Sequence, residues 1–407
     1  MAQVTAADQH QQRPLHQSPI VWGAAALLLV AILAVGSAIS MTQGALILVG
    51  GALGLVLYHA AFGFTSAWRV FIIERRGRGL RAQMVLLAIA VLLFFPALSA
   101  GTLFDHPVRG FVSPIGVSVV VGAFMFGIGM QLGGGCASGT LFTAGGGNAR
   151  MMVTLLFFIV GSVLATINFD WWMALPALEP VSLVELGAVP GIATSLVLFA
   201  AIAALTVLLE RRRHGTLEAA AVPAERRGSA RWLRGPWPLL FGAVALALLN
   251  FATLALSGKP WGITSAFALW GAKGLQAAGM DPGQWSYWQQ PGNAQALGQS
   301  IWHDINSVMN IGIVLGAMLA AALAGRFRPS LRIPLRSLAA CVLGGLLLGY
   351  GARIAFGCNI GAYFSGIASG SLHGWLWMIF AFAGNMVGVK LRPFFFNQPA
   401  RPAVSGC

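Results

Sequence analysis

The sequence predicts an all-α membrane protein of about ten transmembrane helices plus four re-entrant hairpins, arranged as two inverted repeats. Three observations predict it. Charged residues are 9% of the chain and hydrophobic residues 57%, against about 25% charged in a soluble domain. Mean hydropathy is +0.77, and a soluble fold could not bury that much apolar side chain. Apolar runs of about 20 residues, the length that crosses a hydrocarbon core, recur along the chain. Val21–Ser40, Met84–Ser99, Gly191–Leu209 and Leu239–Leu256 are examples.

In order, the spans fall near 21–40, 44–61, 82–100, 114–132, 150–167, 188–209, 238–256, 303–324, 336–354 and 373–389. Four apolar, glycine-rich stretches remain, near 62–73, 133–148, 259–276 and 355–371. Each is too short to cross alone and reads as a hairpin that enters and leaves on one side. Non-helical backbone at that depth is tolerated only where protein or a polar cavity covers it.

The arginines orient these spans. With the N-terminus inside, Arg75, Arg76, Arg78 and Arg81 fall inside, as do Arg211–Arg213, Arg226, Arg227, Arg231 and Arg234. Arg326, Arg328, Arg332 and Arg336 follow, then Lys390, Arg392 and Arg401. The outside segments 168–186 and 277–302 contain no Lys or Arg, in accord with the positive-inside rule. The expected organisation is a cytoplasmic tail over 1–19, a first repeat over 20–209, a charged cytoplasmic linker over 210–236, a second repeat over 237–392 and a cytoplasmic tail over 393–407. Met1–Pro19 is polar, with Arg13 its only Lys or Arg, and is no secretory signal. The net charge of +14 does not imply a nucleic-acid partner, because the arginines cluster between apolar runs. The expected surroundings are a lipid bilayer.

The chain repeats itself. Gly63-Phe64-Thr65-Ser66-Ala67 returns as Gly262-Ile263-Thr264-Ser265-Ala266. Gly122, Gly127, Gly129, Gly135, Cys136 and Gly139 return at constant offset as Gly344, Gly349, Gly351, Gly357, Cys358 and Gly361. The repeat units begin an odd number of spans apart, so the halves are inverted, a transporter architecture with the substrate near the midplane.

The candidate site lies in the second and fourth hairpins, Gly133-Gly134-Gly135-Cys136-Ala137-Ser138-Gly139-Thr140 and Gly357-Cys358-Asn359-Ile360-Gly361. In both, glycine breaks the preceding helix and cysteine opens a short apolar segment. A helix N-terminus at mid-depth offers unpaired N–H groups and a positive dipole end to an anion, and glycine lets the backbone come close. The thiol is a weak donor with a soft, polarizable sulfur. Two thiols at related points suit a relay for a sulfur-bearing anion. Of the other two cysteines, Cys341 sits inside a span and Cys407 is terminal; neither is given a role. No CxxC pair and no GxxxxGK[ST] motif occurs, so neither a zinc site nor a P-loop is expected, and no cofactor is assigned.

Glycine-rich GGxCxxG and GxGxxxxxGCNxG hairpins in a duplicated membrane chain resemble the YeeE/YedE family of thiosulfate transporters. The resemblance runs from about Tyr58 to Pro393, and Gly351–Gly361 is its most specific stretch. It implies an hourglass-shaped protein of the bacterial inner membrane. It implies thiosulfate passed between thiols by S–H···S contacts, with Cys136 and Cys358 in those roles. It also implies a small cytoplasmic sulfurtransferase of the TusA-like type as a partner. Family members often carry a further cysteine near the first hairpin; here Gly63-Phe64-Thr65-Ser66-Ala67-Trp68 has none.

The substrate-binding set is therefore Cys136, Cys358, Gly134, Gly135, Gly139, Gly357, Asn359 and Gly361, with Arg353 added. Arg353 lies five residues before Cys358 in an apolar run, and intramembrane charge marks function. The alternatives are transport of another small sulfur or selenium anion, and a membrane-embedded sulfurtransferase using one thiol as nucleophile. No His or carboxylate neighbours either cysteine in sequence, so an enzyme is not expected.

Overall fold

The computed structural model describes residues 18–218, 230–329 and 333–396. Residues 1–17 of the expected tail over 1–19, the middle of the linker, Arg332, Arg401 and Cys407 lie outside the described residues. The first half contains α1 (Ser18–Ala38), α2 (Met41–His59), α3 (Phe64–Glu74), α4 (Arg78–Ala100), α5 (Val117–Gly133), α6 (Ala137–Gly145), α7 (Ala149–Ile167), the short α8 (Phe169–Met173) and α9 (Ala188–His214). The second contains the short α10 (Ala230–Arg234), then α11 (Leu239–Ser257), α12 (Thr264–Ala277), α13 (Ser286–Gln289), α14 (Pro291–Gly298), α15 (Ile305–Leu323), α16 (Leu335–Ile354), the one-turn α17 (Gly366–Ala368) and α18 (Leu372–Phe395). A π-helix over Asn359–Ser365 precedes α17.

Among the described residues, ten helices are long and apolar enough to span a membrane, and they match the ten expected spans. Their outer faces carry large apolar side chains: Leu27, Val30 and Leu33 of α1 and Val189, Val197 and Leu205 of α9 are all exposed. In water such a surface would drive aggregation; in a bilayer it is the lipid contact.

Two boundaries differ from the sequence reading. The last span does not stop at residue 389 but continues as helix through Lys390 and Arg392 to Phe395. Arg392 Nη1 donates to Gln131 O at 2.5 Å, and its guanidinium lies 4.6 Å from the Phe396 ring centroid. The α9 helix runs into the expected linker because its charge is paired. Glu210 is fully buried, with Arg76 at 3.2 Å and Arg81 at 2.7 Å, and it also accepts from the Gly77 N–H.

The core is made by helices from both halves. α16 packs along α5 and α7, α18 along α5, and α15 along α2. α4 packs against α9 and α11, and α1 against α15. Glycine sets the closest approach. A Cβ on Gly122 would lie 2.7 Å from Gly351 O, and one on Gly344 would overlap the Gly133 backbone. Small residues at crossings replace the hydrophobic driving force that lipid removes. The four stretches left over as hairpins contain α3, α6, α12 and the π-helix with α17, each shorter than a span.

Candidate functional site

The ends of two long helices build the site. α5 stops at Gly133 because Gly134 adopts a left-handed conformation, φ +90°; α6 then starts at Ala137 with Cys136 as its N-cap. In the second half α16 stops at Ile354, Phe356 takes the left-handed position at φ +57°, and Gly357 follows at φ +157°. Cys358 caps the π-helix. A Cβ on Gly357 would lie 2.7 Å from Ala362 N, so the turn into this helix requires glycine.

Both cysteines cap with sulfur. Cys136 Sγ accepts from the Gly139 N–H at 3.5 Å and lies 3.3 Å from Ser138 Oγ. Cys358 Sγ accepts from the Ile360 N–H at 3.4 Å. The sequence assigned the free N–H groups of these helix ends to an anion; the structure gives one at each end to the thiol itself. The N–H bond uses a sulfur lone pair, so the Cys358 S–H is free to donate, while the Cys136 thiol shares a hydrogen bond with Ser138 Oγ in which either atom can donate. Both residues are buried, at 1% and 0% exposure, within one apolar cluster that also holds Trp377, Phe126 and Tyr363, and α6 contacts the π-helix directly. Cys136 and Cys358 are thus brought together from opposite halves of the chain.

Space lies beside both. A Cβ on Gly361 would meet nothing within 4 Å, and one on Gly139 would meet only Cys136 Sγ at 3.6 Å. Gly135 is tighter, 3.2 Å from the Gly139 and Thr140 backbone, and Gly134 faces the Met151 methyl at 3.1 Å. Next to Cys358, the Asn359 amide is fully buried with neither Nδ2 nor Oδ1 hydrogen-bonded. Leaving such a group unpaired costs about 1–3 kcal/mol, which a bound anion would offset.

Arg353 is placed differently from its spacing. Its Nη1 donates to Tyr287 Oη and its Nη2 to Thr264 O, both at 2.7 Å, with the guanidinium 5.3 Å from the Tyr287 ring centroid. It therefore ties α16 to α12 and α13 rather than hydrogen-bonding the Cys358 loop. Cys341 is buried inside α16.

Sequence reasoning passed over the buried amides. Gln83 Oε1 accepts from Trp68 Nε1 at 2.9 Å and Tyr363 Oη at 3.4 Å. Gln131 Nε2 donates to Asn385 Oδ1 at 2.5 Å and Thr65 O at 3.3 Å. Asn250 accepts from the Trp261 N–H at 2.8 Å and donates to Ser365 Oγ at 3.2 Å. Each is a lone amide in an apolar run, which is the signal that could have found it. Together they fasten the short helices to the long ones. No carboxylate or imidazole is bonded to either thiol among the described residues.

A family described as sulphur transport matches residues 59–387. The chain is 30% identical over 353 residues to the thiosulfate transporter TsuA of Spirochaeta thermophila, covering 83% of this chain and 96% of that one. It is 27% identical over 353 residues to the thiosulfate transporter TsuA of Escherichia coli, covering 82% and 90%. The probable transporter YedE of Escherichia coli is 32% identical over 169 residues, 40% of each chain.

Proposed function

Because the chain belongs to the sulphur transport family, we propose that it carries thiosulfate across the membrane through a relay of the Cys136 and Cys358 thiols. The observation that carries the relay is the pair of buried, sulfur-capped helix ends, one from each half, with free space at Gly139 and Gly361. An S–H at each point can donate to the soft terminal sulfur of thiosulfate, while the Asn359 amide can take an oxygen. The anion would need no covalent bond. Among the described residues no carboxylate or imidazole is bonded to either sulfur, which weighs against a sulfurtransferase, whose nucleophile must be a thiolate.

The wider architecture belongs to the same reading. Packing partners exchange between the halves: α7 with α16 answers α18 with α5, and α2 with α15 answers α11 with α4. This supports two inverted repeats with the short helices as re-entrant hairpins meeting at the midplane. The arginine-rich face would be cytoplasmic, with both chain ends there, in a bacterial inner membrane. A TusA-like sulfurtransferase would receive the anion at that face. Both thiols are buried, so passage requires the surrounding helices to open on one side at a time.

The test is uptake of labelled thiosulfate into proteoliposomes holding the purified chain. Wild type is expected to accumulate label, and Cys136→Ala and Cys358→Ala each to lower the initial rate at least about tenfold, as loss of contacts worth about 1.4 kcal/mol would do. Wild-type uptake by either folded variant contradicts the relay.

A further inference from the structure

A cavity of about 450 Å³ opens on the arginine-rich face, with neither thiol among its lining residues. Its walls are the chain from Ala60 to Gly63, the inner side of α3, the start of α4 and the segment Pro236–Leu239. Arg76, Arg78 and Arg231 line it, with Glu218 as the one carboxylate among its lining residues. Arg76 is shared with Glu210 at 3.2 Å, and Arg231 Nε donates to Pro236 O at 2.7 Å. Arg78 makes no ion pair among the described residues. The cavity is cationic at its mouth, and at about 30 Å³ per water it has room for a small anion that keeps part of its hydration.

Gln83, another lining residue, is 1% exposed. The orientation of its amide is fixed, because an indole N–H only donates and Trp68 Nε1 sits 2.9 Å from Oε1. Tyr363 Oη approaches the same oxygen at 3.4 Å. The free end is therefore the NH₂, and Gln83 Nε2 has no hydrogen-bond partner. A buried donor without an acceptor, beside a cavity walled by guanidinium groups, is one half of an anion contact. Tyr363 belongs to the helix that Cys358 caps, so Gln83 also joins this cavity to the thiol region.

We propose that this cavity is a second anion site, in which Gln83 Nε2 and the Arg78 guanidinium bind the oxygens of a small divalent oxyanion. It rests on the transport reading only for the identity of the travelling anion. Its donors are all hard, with no thiol among the lining residues. Unlike the cysteine pair, it accepts sulfate and thiosulfate alike. It is the place where a relayed anion exchanges soft contacts for water-like ones before leaving.

The test is equilibrium binding of radiolabelled sulfate and of radiolabelled thiosulfate to the full chain in phosphatidylcholine nanodiscs at fixed ionic strength. Wild type should bind both, and a Cys136→Ala, Cys358→Ala double variant, which leaves only this cavity, should bind sulfate within about threefold of thiosulfate. Gln83→Leu should weaken sulfate at least about tenfold. Because Gln83 also holds Trp68, Gln83→Glu is the second variant: it keeps an acceptor for the indole and replaces the free donor with negative charge, and should lose sulfate equally. Arg78→Gln should weaken sulfate about three- to tenfold. Cys341→Ala should bind as wild type. Sulfate binding unchanged in folded Gln83→Glu overturns the proposal. So does loss of sulfate binding when anionic phosphatidylglycerol is added to the discs, since a lipid phosphate would then be the occupant. A wild type that binds sulfate but takes up no thiosulfate would sink the transport reading and leave this site standing.

Discussion

The Cys136 and Cys358 loops share a scaffold but not a condition. In the first, a glycine takes the left-handed turn, the following helix is α, and Ser138 lies against the sulfur. In the second, a phenylalanine takes that turn, Gly357 is extended to φ +157°, the helix is π, and the Asn359 amide stands unpaired. Backbone in such regions costs about 1–3 kcal/mol per residue and survives only where its surroundings hold it. π-turns likewise gather at functional sites. Of the two cysteine loops, only the second combines a left-handed non-glycine residue with an unpaired buried amide.

The largest effect that separates the loops is on folding. Gly357→Ala puts a Cβ against the Ala362 backbone and is expected to cost about 3 kcal/mol or more, read as a drop in unfolding temperature. A neutral result would mean that the second loop is no tighter than the first. Next is Asn359→Leu, expected to slow thiosulfate uptake about tenfold. The unfolding temperature should hold or rise, because an unpaired buried amide is removed. A fall in stability would reveal a structural partner for that amide and shift the oxygen contact elsewhere. Gly134→Ala should cost roughly 1–2 kcal/mol, from its φ of +90° alone, since the atom it meets is the flexible end of Met151. A cost equal to that of Gly357→Ala would erase the difference between the loops. Smallest is Cys341→Ala in α16, expected to leave uptake within about twofold of wild type. A larger loss would place a third thiol on the route.

The ten spans could be read in the sequence because lipid leaves no other fold for apolar runs of that length. The ends of α9 and α18 were harder, since charge ordinarily marks a loop. Glu210 with Arg76 and Arg81, and Arg392 with Gln131 O, keep charge inside helices by contacts more than a hundred residues apart in the chain. The glycine–cysteine turns that open α6 and the π-helix were legible because the sequence carries the pattern twice. Gln83 was not, for its meaning comes from Tyr363 across 280 positions. The partners of Arg353 were not legible: five residues from Cys358 along the chain, its guanidinium at the end of α16 reaches Tyr287 and Thr264.

Selectivity tests the central claim most directly. Sulfate and thiosulfate carry the same charge and differ at one corner, where thiosulfate has a soft sulfur that an S–H can meet. Uptake of labelled thiosulfate into right-side-out vesicles is measured against rising external sulfate or unlabelled thiosulfate at fixed ionic strength. If Cys136 and Cys358 read that sulfur, sulfate should need at least about tenfold more than thiosulfate to halve uptake, a difference of about 1.4 kcal/mol. Equal inhibition by the two anions would mean that the cysteines do not read the substrate.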